Sequence, residues 1–246
     1  MRVLITAGGT AEKIDQVRSI TNHSTGKLGS LIAEAFLAAH ARVDYVTTAA
    51  ALRPAAHENL QLHQISGTQE LADKMADLLH STPYDTVIHS MAVSDFTPAQ
   101  SLSQEQFLAK LNQLVQTKET VTADDLDIFL SDEKQETKIS SATEQLYLIL
   151  KKTPKVIQQI KKIQPDTLLV GFKLLVDVSK EELLQVAQNS LQKNQADYVL
   201  ANDLTSIGQG KHRGYLIDHT GAITGQAESK EAIAQLIVKT ITDHLK

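Results

Sequence analysis

The stretch T-N-H-S-T-G-K-L-G at residues 21–29, one short loop after R-V-L-I-T-A-G-G-T at residues 2–10, decides the reading of this chain. The first run is a buried-type strand that ends in a glycine turn. The second offers Asn22, Ser24, Thr25, Gly26 and Lys27 just before apolar residues at helical spacing. Backbone N–H groups at such a helix start, with a lysine beside them, form an anion site. The alternative, a plain Ser/Thr N-cap, needs one hydroxyl and leaves Asn22 and Lys27 without a reason. Gly8 and Gly9 supply a second anion-grade turn. Two such turns so close together point to a substrate with more than one phosphate or carboxylate.

Outward from there, Leu28, Leu31, Ile32, Ala35, Phe36 and Ala39 predict a helix over 27–40, and 42–48 returns as a strand. Residues 69–80 form an amphipathic helix and 85–89 a third strand. This β-α-β-α-β order implies a parallel sheet with right-handed crossovers. Ligands on such sheets sit beyond the carboxyl ends of the strands, so Gly8-Gly9 and Met91–Asp95 can face one cleft. Residues 99–136 differ, being rich in Gln, Ser, Asp, Glu and Lys. They read as a polar, mobile insertion with one or two helices. The alternating L-Y-L-I-L before residue 150 predicts a strand, 154–162 a helix, 167–172 a buried strand and 180–195 a helix. Residues 198–201 form a strand, 214–217 and 222–224 a hairpin, and 231–245 a closing helix. The expected fold is α/β: a Rossmann-like, mostly parallel sheet flanked by helices, with a polar insertion and a small antiparallel addition. No linker divides the chain, so 1–246 reads as one nucleotide-binding domain.

The 246 residues are 42% apolar, ample for a sizeable core. A net charge of −5 gives no basic field for nucleic acid. Cysteine is absent, which removes a disulfide frame, a thiolate nucleophile and a cysteine zinc site. With no apolar run of membrane length and no signal peptide, a cytoplasmic protein with no membrane partner is the expectation. The nine histidines show no metal-ligand spacing, and His57 and His63 read as surface residues.

Two familiar nucleotide motifs fail. A dinucleotide fingerprint needs G-x-G-x-x-G and an acidic residue closing the second strand; here the glycines are adjacent and that strand ends in Thr47-Thr48. An NADP-binding oxidoreductase or epimerase stays as the rival reading on G-G-T alone. S-T-G-K is no P-loop, because Thr21 stands at the first glycine and Leu28 at the magnesium-binding hydroxyl. In M-A-V-S-D-F at 91–96, small residues allow close approach of a planar ring, and Asp95 suits a ribose hydroxyl or a magnesium-bound water. Lys138 borders the insertion, where a lysine can swing onto phosphates or stay a solvated surface lysine.

Taken in order, I-T-A-G-G-T, D-Q-V-R-S-I-T-N-H-S-T-G-K-L-G, A-V-S-D-F, K-I-S-S, V-G-F-K and A-N-D resemble one family, the phosphopantothenoylcysteine synthetases (phosphopantothenate–cysteine ligases) of coenzyme A biosynthesis. The resemblance spans residues 2 to about 204. It implies that 4′-phosphopantothenate is activated as an acyl-nucleotide and then joined to cysteine. It implies a nucleoside triphosphate, magnesium and a homodimer. Carried over by position, Asn22 holds the acyl-nucleotide, Arg18 and Ala92 assist its conversion, and Lys138 neutralises phosphate charge. Ser90, Met91 and Ala92 contact the base through backbone groups, Asp95 lies near the ribose, Phe172 packs on the nucleotide and Lys193 helps with phosphates. The metal ligands stay unassigned. K-I-S-S and G-F-K-L-L-V depart from the bacterial K-I-K-K and G-F-A-A-E-T, and Asn189 stands where a second phosphate lysine is expected. These departures lean toward the eukaryotic branch, some of which uses ATP; CTP is the preferred triphosphate here, with ATP second. Many relatives carry a fused flavin-dependent decarboxylase with a catalytic cysteine; this sequence shows neither that half nor any cysteine, so no FMN and no decarboxylation are expected.

Overall fold

A computed structural model describes residues 1–130, 143–208 and 211–246. The chain opens with strand β1 (Arg2–Ala7), short strands β2 (Ala11–Lys13) and β3 (Ser19–Thr21), and helix α1 (Lys27–Ala38). Next come β4 (Arg42–Thr48), β5 (Leu60–Ile65), α2 (Thr68–Ser81), β6 (Thr86–His89) and β7 (Phe96–Ser103). Helix α3 (Gln104–Thr117) and a 3-10 helix over Asp124–Leu130 follow. Then come β8 (Leu146–Lys152), α4 (Val156–Ile163), β9 (Leu168–Leu175) and α5 (Lys180–Asn194). Strands β10 (Tyr198–Gly208), β11 (Lys211–Asp218) and β12 (Ile223–Ala227) lead to α6 (Lys230–His244).

These elements form two compact units. The first holds Met1–Thr10, Asn22–Val93 and Lys155–Lys246. Its eight-stranded sheet has the order β12-β11-β10-β9-β6-β1-β4-β5. The six strands from β5 to β10 are parallel, and β11 and β12 pair antiparallel at one edge. Renumbered by appearance, the parallel strands run 3-2-1-4-5-6, the doubly wound order, and β1 and β6 flank the point where it reverses.

Strand pleating sorts the core. Val3, Ile5 and Ala7 face α1 and α6, whereas Leu4 faces α2, α4 and α5. Phe36, Ile32, Ile237 and Ile241 close the first layer; Leu71, Met75, Ile160 and Leu183 close the second. Helix α1 lies unusually close to the sheet. A Cβ on Gly29 would stand 2.4 Å from the Ala7 Cβ and 2.8 Å from the Ser90 Oγ.

The second unit, Ala11–Thr21 with Ser94–Pro154, pairs β2 with β3 and β7 with β8, both antiparallel. Its core is Leu102, Leu114 and Phe129, with Phe107 stacked on Tyr147 at 4.1 Å between centroids. Ser103 opens α3 with a capping box shared with Gln106. The helices expected between 99 and 136 are therefore present in the described part. The start of that insertion differs: Ala99–Ser103 belongs to β7, whose inward positions Pro98, Gln100 and Leu102 are too mixed in polarity to signal a strand.

Two further differences appear in the first unit. Residues 60–65 form the outermost parallel strand, which polar L-Q-L-H-Q-I did not announce. Consequently His63 is not a plain surface residue: its Nε2 lies 2.8 Å from the Asp44 carboxylate, with only 12% of the side chain exposed. Burial alone would raise the Asp44 carboxyl; hydrogen bonds from His63 and Tyr84 outweigh it and hold the group below its ordinary value. Among the described residues no helix is long and apolar enough to cross a membrane.

Gly29 supplies a sign test of the close helix–sheet approach. Gly→Ala within an exposed helix commonly stabilises by up to about 1 kcal/mol. Here the added methyl meets Ala7 and Ser90, so Gly29→Ala should destabilise by about 1–3 kcal/mol, read as a lower urea midpoint.

Candidate active site at the strand reversal

The site is built on the tips of β1 and β6. Ala92 N–H donates to the Gly8 carbonyl (2.8 Å), and Thr10 N–H donates to the Ala92 carbonyl (3.1 Å), forming a bridge between Gly9 and Ala92. Gly8 adopts φ +93°, a left-handed conformation that frees the turn for glycine. At Gly9 a Cβ would meet the Asn22 carbonyl oxygen at 2.6 Å, so glycine there lets the two segments touch. The Asn22 amide donates to the same Ala92 carbonyl at 3.3 Å. Gly8, Gly9, Asn22 and Ala92 thus meet at the reversal point, as the strand order requires of a ligand crevice.

Ser24 N–H donates to the Asn22 carbonyl (3.0 Å), and Leu52 N–H to the Thr25 carbonyl (2.9 Å), which fixes the turn into α1. Its N-cap is Gly26 at φ +73°, with no side-chain cap on that residue. Thr25 Oγ1 accepts a long bond from Lys27 N–H at 3.4 Å. Asn22 and Thr25 are exposed, and Ser24 and Lys27 are half-buried.

On the other strand tip, Ser90 N–H and Oγ–H both donate to the Thr6 carbonyl, at 3.1 and 2.7 Å. Met91 N–H donates to the Thr6 Oγ1 at 3.4 Å, and Thr6 Oγ1 lies 2.9 Å from His89 Nδ1. Phe172 on β9 follows the Gly171 that pairs with His89, so it lies beside Ser90. Lys193 does not join this cluster. It sits in the last turn of α5, which starts past the carboxyl end of β9 and returns to the edge where β10 begins.

Arg18 and Asp95 belong to the second unit. There the buried Asp15 carboxylate accepts Val17 N–H (2.8 Å) and Arg18 N–H (2.7 Å), plus the Arg18 guanidinium at 3.0 and 2.7 Å. Arg18 is thus held by a charge-assisted pair at the tip of the β2–β3 hairpin. The Asp95 carbonyl accepts Thr153 N–H at 3.1 Å. Lys138 lies outside the described residues. Among the described residues no three His, Cys, Asp or Glu side chains converge to hold a metal.

Sequence reasoning passed over Thr6, Asp15 and His89. Each is a polar residue inside a run that reads as core or turn, and each shows its role only through a partner. The signal for His89 was its place at the strand end, directly before S-M-A.

A profile of the DNA/pantothenate metabolism flavoprotein C-terminal domain family matches residues 1–126 and 121–245. The chain belongs to this family. The family resemblance read from the motifs therefore stands. The coenzyme A biosynthesis bifunctional protein CoaBC of Methanocaldococcus jannaschii is 31% identical over 249 residues, covering 100% of this chain and 51% of that protein. The chain spans about half the length of the curated relatives it matches. The crystal structure of the DNA/pantothenate metabolism flavoprotein from Streptococcus pneumoniae is 42% identical, with a TM-score of 0.86 and 99% of both chains covered. A Cab2 variant in complex with phosphopantothenate-cysteine shares the fold at 18% identity and a TM-score of 0.69, covering 99% of this chain and 85% of that one.

Burial pushes the His89 imidazole down to about 4. Burial, then the Lys230 charge, does the same for His212. Between that value and the ordinary 6.5 the unfolded chain binds protons that the folded chain does not. Stability should therefore be full above about pH 6.5 and fall as pH drops toward 4. His89→Asn should flatten that slope by up to about 1.4 kcal/mol per pH unit, measurable by urea unfolding across the range.

Proposed function

We propose that this chain is a phosphopantothenate–cysteine ligase that works through an acyl-nucleotide. The observation that carries the reading is the meeting of Gly8, Gly9, Asn22 and Ala92 at the strand reversal, in a chain of this family. A 4′-phosphopantothenate carboxylate oxygen attacks the α-phosphorus of the triphosphate, and pyrophosphate leaves. The cysteine amine then attacks the acyl carbon, loses its proton, and the nucleoside monophosphate leaves as the amide forms. A free carboxylate is a poor electrophile, which is why activation comes first. The protein's share is positioning and charge neutralisation.

In this reading the Asn22 amide donates to the acyl-nucleotide without adding negative charge. Ser24, Thr25, Gly26 and Lys27 at the start of α1 hold anionic oxygens, with Gly8 and Gly9 beside them. The base lies on Ser90, Met91 and Ala92 with Phe172 against it. Arg18 assists turnover of the intermediate, Asp95 serves the ribose, and Lys138 neutralises phosphate charge during activation. CTP is the preferred triphosphate and ATP the second, each as its magnesium complex. No FMN takes part. Residues 1–246 act as one ligase domain, in the cytoplasm, as a homodimer. The doubly wound order would also suit NADP, but β4 closes on Thr47-Thr48 with no carboxylate for a ribose.

Pyrophosphate release with phosphopantothenate and each triphosphate tests the reading; silence with both CTP and ATP removes it. Lys138→Gln should abolish that release. Asn22→Asp should release pyrophosphate yet accumulate the acyl-nucleotide, seen by mass spectrometry, because a carboxylate repels the anionic intermediate. Normal turnover by Asn22→Asp would refute its assigned role.

A further inference from the structure

We propose that His89 and Thr6 are positioning residues for the Ser90–Ala92 backbone, and so set how tightly the nucleotide base is held. The inference rests on the reading that the base lies on those three residues. Thr6 and His89 face each other in register across β1 and β6. Thr6 is fully buried and His89 is 7% exposed. Thr6 holds the strand tip twice: its carbonyl takes both donors of Ser90, and its hydroxyl oxygen takes Met91 N–H.

A threonine hydroxyl has one proton to give. With Met91 N–H on one lone pair of the oxygen, that proton is free to point to His89 Nδ1, 2.9 Å away. In that arrangement His89 is the neutral tautomer with its proton on Nε2. Its burial favours that state, since an uncharged ring costs far less to bury than an imidazolium. Remove the imidazole and Thr6 loses a partner that holds its side-chain rotamer, so the oxygen is free to turn away from Met91. The 3.4 Å Met91 bond is the longest in the network and is the one that yields. Ser90 points to the opposite face, against Gly29, so one residue along the strand the backbone is already fixed from the other side. The His89–Thr6 pair completes that grip.

Steady-state pyrophosphate release in His89→Leu, His89→Asn, Thr6→Val and Thr6→Ser tests this. His89→Leu and Thr6→Val should raise the nucleotide KM by about fivefold, the worth of one buried hydrogen bond, while kcat at saturation stays within about twofold. Asn keeps an acceptor at the Nδ1 position and Ser keeps the hydroxyl, so both should stay near wild type. Should His89→Leu fail to fold, Thr6→Val carries the same comparison. If the Leu and Val variants lose stability but keep the wild-type KM, the inference is overturned and the ligase reading stands. A 15N spectrum showing the His89 proton on Nδ1 overturns it equally. If wild type releases no pyrophosphate and the Met91 amide resonance ignores added CTP, the ligase reading itself fails, and this inference with it.

Discussion

The pairing of two strand tips, Gly8–Thr10 with Ala92, is the constraint on which the rest of the first unit depends. β1 and β6 are hydrogen-bonded neighbours, yet the chain leaves them toward opposite faces of the sheet. Where the direction of winding reverses, no crossover helix covers the strand ends, and a crevice remains. Ala92 gives its N–H to Gly8 and takes donors from Thr10 and Asn22 on its carbonyl. A single backbone unit thus ties the glycine turn, the residue before α1 and the end of β6. Small residues are required there because each approach is at backbone distance.

Much of this was legible in the sequence. The strand at 42–48 and the helix at 180–195 came from periodicity alone, since a half-buried helix and a buried strand write different periods. G-G-T and A-V-S-D-F could be assigned to the same edge because both follow strands in a β-α-β order. What resisted was polar structure whose partner is distant. L-Q-L-H-Q-I has the mixed polarity of an edge strand, and nothing local says that Asp44 waits for His63. Lys193 carries a motif resemblance, but the returning α5 takes it to the far edge; sequence position fixed its family place and topology fixed its address. Arg18 was singled out while Asp15, which orients it, was not, because an Asx turn and a salt bridge look alike in one dimension.

The crevice is built mostly from neutral groups. Around the β6 tip the partners are carbonyls, a threonine hydroxyl, a serine hydroxyl and an imidazole without charge. Buried neutral polar groups are affordable only when bonded, and here nearly every donor has an acceptor on the neighbouring strand. Fixed dipoles suit the proposed reaction, whose charge shifts from a carboxylate to a departing phosphate, because they need no rearrangement as it proceeds. Lys27 stands at the start of α1 rather than inside the sheet.

The second unit is threaded into the first by two excursions, 11–21 and 94–154. The first leaves after Thr10 and returns at Asn22, and its two ends close on each other, Gly9 against the Asn22 carbonyl. Closing a chain of 61 residues instead of 11 costs only about 1.5 kcal/mol more in lost entropy. Added length in the longer excursion therefore costs little chain entropy. The short one has no such latitude, since each added residue would have to leave Gly9 and Asn22 in touch. Neither excursion can be lost by trimming a terminus, because residues of the first unit flank both on either side.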